Sequence, residues 1–338
     1  MSKRWLWPLL FSIFAVSFFV DLACGSVAFS FDHWIFLARH PFEDNFWNQI
    51  FWDVRFPNAI SVMISGWGLG VSGVLLQGFF RNPLADPGLV GVSVGAAFFV
   101  VLFLGIAILC GVAIGKILWI LPLIAFCGAI FSMLLVCFMA RLLGRSSSEV
   151  LLLAGVGLST FFAGISSVIF IGLTTQGLHL ALWWSFGGET VLDWPILGLS
   201  LLILSLSIFI ALRQAEALDV NVLGELEALS LGVNIKTMRL HVLWAVALSA
   251  GTSVALTGPI AFVGLMVPHI MRYMFGFQHR ELLWVSGVFG ATLLLFSSAL
   301  SRIVLAPAEL PLGVVAAFVG LPFFFCFLWT KNSNKYNF

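Results

Sequence analysis

Arg81-Asn82-Pro83-Leu84-Ala85-Asp86-Pro87-Gly88, continued by Gly91-Val92-Ser93-Val94-Gly95-Ala96, interrupts a long apolar sequence. A second interruption lies far downstream, Gly258-Pro259-Ile260-Ala261-Phe262-Val263-Gly264-Leu265-Met266-Val267-Pro268-His269, with Arg272 three residues on. A lipid-buried backbone must satisfy its own hydrogen bonds. Proline and glycine breaks are therefore tolerated only at a membrane surface, or where protein or water covers them. The two stretches mark where a membrane bundle is shaped for work.

Outward from them, the chain is 61% hydrophobic and 9% charged, against roughly 25% charged in soluble domains. Its mean hydropathy is +1.10. Apolar runs near the length of about 20 residues that a spanning helix needs recur along the whole sequence. The expected fold is all-α and polytopic, a single transmembrane domain over residues 1–338. Ten spans are expected, near 5–22, 58–80, 89–110, 117–140, 150–172, 192–212, 236–256, 260–275, 282–301 and 312–330. The first is read as an uncleaved helix: Asp21 stands where a lipoprotein signal before Cys24 wants an aliphatic residue. With the N-terminus inside, twelve of the sixteen Lys and Arg residues fall on the inner side. That bias predicts both termini in the cytoplasm.

Net charge is +1, which leaves no basic footprint for nucleic acid. The five cysteines are scattered, without metal-ligand spacing, and no metal site is expected. His269 has no partner His, Cys or carboxylate at ligand spacing and reads as structural. There is no Gly-x4-Gly-Lys-Ser/Thr loop, so any ATP and its Mg are expected on a partner subunit. Gly66-Trp67-Gly68-Leu69-Gly70 lies within a span and reads as a close helix approach. Carboxylates sit at or beyond span ends, against the intramembrane charge that ion-coupled carriers use. An ion-coupled secondary carrier or channel is nonetheless the alternative to a path powered from outside, and a membrane enzyme would need paired catalytic residues that no spacing supplies. The inner segment of about 213–235 alternates polar and apolar positions at helical spacing, punctuated by Gly224 and Gly232. It reads as short surface helices, suited to docking a cytoplasmic partner.

Several further stretches carry a resemblance: Arg55-Phe56-Pro57; Gly70-Val71-Ser72-Gly73 through Gln77; Leu151 to Val156; Trp184 to Gly188 before Trp194; Leu231-Gly232-Val233-Asn234; and Ala306 to Val315. With the two opening motifs, in this order, the chain resembles the FecCD-type, BtuC-like permeases of binding-protein-dependent ABC importers. Those importers carry iron-siderophores, haem or vitamin B12. The resemblance implies a ten-span permease that pairs with a second copy or a paralogue in the bacterial inner membrane. It implies two cytoplasmic ATPase subunits below, and a periplasmic or lipoprotein substrate-binding protein above.

The resemblance also implies roles. Leu223, Gly224, Glu225, Ala228, Leu231 and Gly232 match the ATPase-coupling segment. Asn82 and Leu84 match a cytoplasmic gate, joined by Ser148 in the altered stretch Ser146-Ser147-Ser148-Glu149. Arg55 and Arg302 match positions that dock carboxylates of the binding protein, although Asn58 replaces the second Arg of the family's Arg-x-Pro-Arg pattern. The pathway is expected along spans five and ten, near 151–170 and 313–328. Gly155, Gly157, Ser159, Thr160, Gly164 and Ser166 give the fifth span a small, mildly polar face.

Overall fold

The computed structural model describes residues 5–25, 27, 29–41, 43–112, 118–142, 148–188 and 193–333, and these contain helices and no strand. The spanning helices are α1 (Leu6–Ala23), α4 (Phe56–Phe80), α5 (Val92–Leu109), α6 (Leu121–Leu142), α7 (Ser148–Gly172), α9 (Trp194–Asn221), α11 (Ile235–Thr257) and α13 (His279–Ile303). Each is long and apolar enough to cross a membrane. Helices α12 (Val263–Phe275) and α14 (Leu312–Ser333) occupy the two remaining expected positions. Short helices join them: α2 (Phe31–Arg39), α3 (Phe46–Gln49), α8 (Thr175–Ser185) and α10 (Glu225–Ser230).

Helix α4 is the hub, packed against α9, α11, α12 and α13. Between membrane helices the gain comes from close packing, because lipid tails already solvate apolar side chains. The glycines of α4 provide that packing. A Cβ at Gly66 would strike the Gly290 carbonyl, and one at Gly70 the Ser286 carbonyl. Ser65 adds a bond across the neighbouring interface with α11, its hydroxyl donating to the Ser253 carbonyl at 3.2 Å.

Polar ties define the two ends of the bundle. At one end Trp7 Nε1 donates to Glu281 at 3.3 Å. There the Asn221 amide donates to the Gly78 carbonyl at 3.2 Å. Asp219 accepts from the His279 amide at 2.9 Å and meets its ring Nδ1 at 2.6 Å. At the opposite end Trp184 is fully buried, and Gly313 donates to the Gly187 carbonyl at 3.4 Å. A Cβ at Gly258 would strike the Trp184 carbonyl, so three motifs distant in sequence converge at that end.

Candidate functional site

The two opening motifs touch. After α4 the chain turns through Arg81, which adopts a left-handed conformation with φ 51°. Asn82 Oδ1 accepts from the Leu84 amide at 2.9 Å, a side-chain-closed turn that leaves Leu84 exposed. Asp86 then caps two helix starts at once. It accepts from the Gly88 amide at 2.7 Å, in the short 3₁₀ turn Pro87–Val90, and from the Leu265 amide at the start of α12. No side chain of its own caps α12, whose preceding residue Phe262 is left-handed at φ 68°. The Asp86 carboxylate supplies the missing acceptor from another segment. Burial pushes its carboxyl up to about 6, although the amides of Gly88 and Leu265 favour the charged form. Gln77 Nε2 donates to the Leu265 carbonyl at 2.9 Å. The break before α12 is thus covered by protein, as a backbone break within a bundle must be.

The same segment reaches the fifth span. Ser132 Oγ donates to the Gly91 carbonyl at 2.8 Å. A Cβ on Gly91 would lie 3.8 Å from the Gly155 carbonyl. Gly155, expected along the pathway, is buried against this turn. Gly157, Thr160 and Gly164 are exposed on α7, and Ser159 is partly buried. Phe318 and Phe325 of α14 are also exposed. Ser148 opens α7, but its side chain lies outside the described residues, as does the rest of the expected serine stretch before it.

The residues expected to meet an ATPase come together at the end of the bundle that carries Trp7 and His279. Asn221 closes α9, Gly224 turns the chain at φ 137°, α10 follows, and Gly232 turns it again at φ 88°. Asn234 then caps α11, accepting from the Thr237 amide at 3.1 Å. Leu223, Glu225, Leu231 and Gly232 face out, whereas Gly224 and Ala228 are buried and seat the hairpin. Glu225 pairs with Arg239 at 3.3 Å, and the Arg239 guanidinium stands 5.7 Å from the Phe79 ring. Leu226 and Leu229, exposed at 76% and 52%, belong to the same outward apolar face and were missed. The three-residue spacing of Leu223, Leu226 and Leu229 was the available signal. Asp219, Asn221 and His279, which clamp the hairpin's root, were missed too. Their pairing across sixty residues leaves no local pattern.

Arg55 and Arg302, the residues expected to dock a binding protein, lie inside the fold. Both are buried, at 4% and 7% exposure, and both are spent internally. A π-helical turn, Ile50–Arg55, swings Arg55 inward, where it donates to the carbonyls of Leu22 at 2.8 Å, Ala23 at 3.0 Å and Val27. Its guanidinium also lies 4.2 Å from the Phe29 ring. Arg302 donates to the Asp21 carboxylate and to Ser298 Oγ at 3.0 Å. An unpaired guanidinium is too costly to bury, so each takes up the carbonyls and carboxylate that α1 leaves at its end. They brace that end of α1 from within.

Residues 13–330 match the FecCD transport family. The chain is 37% identical over 288 residues to the vitamin B12 import system permease protein BtuC of Yersinia enterocolitica, covering 84% of this chain and 83% of that one. It is 33% identical over 295 residues to the hemin transport system permease protein HmuU of Yersinia pestis, covering 87% and 86%. An inward-facing structure of a metal-chelate type ABC transporter superposes with a TM-score of 0.80 at 27% identity, covering 97% of this chain and 99% of that chain.

Proposed function

The chain belongs to the FecCD transport family, and from that premise we propose that it is the permease of an ATP-driven importer for a bulky chelate: an iron-siderophore, haem or cobalamin. Two copies, or one copy and a paralogue, form the path in the bacterial cytoplasmic membrane, with both termini inside. Two ATPase subunits hydrolyse ATP below, and a binding protein delivers cargo from outside.

The observation that carries this reading is the hairpin between α9 and α11. It presents four leucines, Leu223, Leu226, Leu229 and Leu231, each more than half exposed, beyond the end of the bundle. An apolar face held outside the bundle marks a protein contact. Its root is rigid, clamped by Asp219, Asn221 and His279 to α4 and α13. A push on α10 would therefore be felt by the hub helix, which runs on through Phe80 into the gate turn at Asn82 and Leu84. The exposed small face of α7, with Gly157, Thr160 and Gly164, suits a path for a cargo that slides without strong ligands.

The test is uptake of labelled ferric siderophore, haem and cobalamin into liposomes holding the permease with its ATPase and binding protein. Uptake of one cargo that requires both ATP and the binding protein is expected. Uptake driven by an ion gradient without the ATPase would replace this reading with a secondary carrier.

A further inference from the structure

A groove of about 390 Å³ runs between α6 and α11, closed on one side by Leu151 of α7. This size falls within the range of about 300–1,000 Å³ typical of small-molecule sites. Its body is apolar, with Met133 and Phe138 on one wall and Leu240 and Trp244 on the other. Phe138, Leu240 and Trp244 are 57%, 48% and 38% exposed, so no described residue covers them fully.

Charge is confined to one end. Arg141 stands in the last turn of α6, and Lys236 and Arg239 stand in the first turns of α11. Cations at a helix start oppose its dipole, so Lys236 and Arg239 are not there to stabilise α11. Arg239 is partly engaged by Glu225, yet its buried Nε–H has no hydrogen-bond partner among the described residues. No described carboxylate pairs with Arg141 or Lys236. The helix start and the cations together favour an anion at this rim.

A ligand that fits has an anionic head at one end and an apolar body running along the spans. We propose that the groove holds an anionic glycerophospholipid, its phosphate at Arg141 and Lys236 and an acyl chain along Phe138, Leu240 and Trp244. A water-soluble protein would meet the rim but would not follow the apolar wall into the membrane. Basic pockets between spans at the cytoplasmic side bind anionic headgroups by this chemistry. The rim adjoins the Arg239–Glu225 pair that fastens the hairpin, so the lipid would sit beside the element proposed to receive the ATPase. This inference rests on the membrane orientation proposed above for its leaflet, but not for its selectivity. Failure of the orientation and failure of the site are therefore distinguishable.

The test uses the full-length permease in phosphatidylcholine nanodiscs. The Trp244 contribution to fluorescence is the difference between wild type and Trp244→Phe. Phosphatidylglycerol and phosphatidylcholine carrying the same brominated acyl chains are compared as quenchers at equal mole fraction. Each basic residue near the surface contributes about 1 kcal/mol, so two predict about a thirty-fold preference for phosphatidylglycerol. That preference should vanish in R141Q/K236Q and persist in R141K/K236R, which keeps the charges at these exposed positions. Equal quenching by the two lipids overturns the proposal, and so does a preference that survives R141Q/K236Q. Displacement of phosphatidylglycerol by millimolar inorganic phosphate would reveal an anion site without a lipid requirement and also overturns it. The same holds if quenching is lost once the ATPase subunits are bound, because protein would then fill the groove.

Discussion

Helices α4 and α7 are both 25 residues long, apolar and interrupted by glycines, yet they do opposite work. The span containing α4 is 83% buried within the chain, and that of α7 is 22% buried. On α4 a Cβ at Gly66 or Gly70 would collide with a neighbouring backbone, whereas nothing stands within 4 Å of one at Gly157 or Gly164 on α7. The same residue type closes a helix contact in one place and leaves an open surface in the other. One half of the molecule, α4, α11 and α13 with the braced end of α1, is largely complete by itself. The other half, around α7 and the exposed phenylalanines of α14, leaves an open face.

The hardest blow to the complete half should fall on its buried ion pair. Arg302→Leu leaves the Asp21 carboxylate fully buried without its guanidinium, a loss of about 3–5 kcal/mol. Thermal unfolding in detergent should show a large drop for this variant and almost none for Thr160→Ala on the open face. A mild effect of Arg302→Leu would mean that the guanidinium is free to leave Asp21, reviving a docking role. Next comes the direct contrast of glycines. Gly70→Ala should cost about 1–3 kcal/mol through overpacking, while Gly157→Ala leaves the midpoint unchanged. Gly157→Leu should instead abolish uptake with the fold intact. If the two alanine variants melt alike, the division between the halves is wrong.

The spans were legible in the sequence because hydropathy needs only a window of about twenty residues. The close approach at Gly66 to Gly70 was legible as well, since small residues inside a span have few other uses. Which segments meet was not legible. Asp86 and Leu265 are joined by a single carboxylate-to-amide bond, and a backbone amide has no sequence signature. The inward course of Arg55 was hidden for a similar reason. Charge bias says on which side of a membrane an arginine falls, but its three partners are carbonyls of Leu22, Ala23 and Val27, and any residues could supply them. The burial of Gly155 was not legible either, because one face of α7 meets residues 81–91 and another stays open, and composition does not say which glycine takes which face.

A smaller effect is expected where the proposed ATPase contact meets the complete half. Gly224 holds φ 137°, and a Cβ there would strike the Glu227 carboxylate. Gly224→Ala should weaken the hairpin by about 1 kcal/mol or more while the bundle melts normally. The readout is transported cargo per ATP hydrolysed in the reconstituted transporter, which should fall. An unchanged ratio would remove the hairpin from the coupling path.

The smallest effect concerns the segment that bridges the two halves, residues 81–91, held to α12 by Asp86 and leaning on Gly155 of α7. The Asp86 carboxyl is raised from 3.8 to about 6 in the fold, chiefly by burial. Between these values the folded state binds more protons than the unfolded chain, so stability falls as pH rises through that window. Acidification from pH 7 to 5 should therefore favour the folded state through this residue, and Asp86→Asn should lack that share of the slope. The measurement is the thermal midpoint of both proteins at the two pH values. Only the difference of slopes is compared, because the amide also loses one of the acceptor bonds. Parallel slopes would mean that the carboxyl is solvated, and that segment 81–91 is not pressed against α12 as closely as its bonds to Gly88 and Leu265 require.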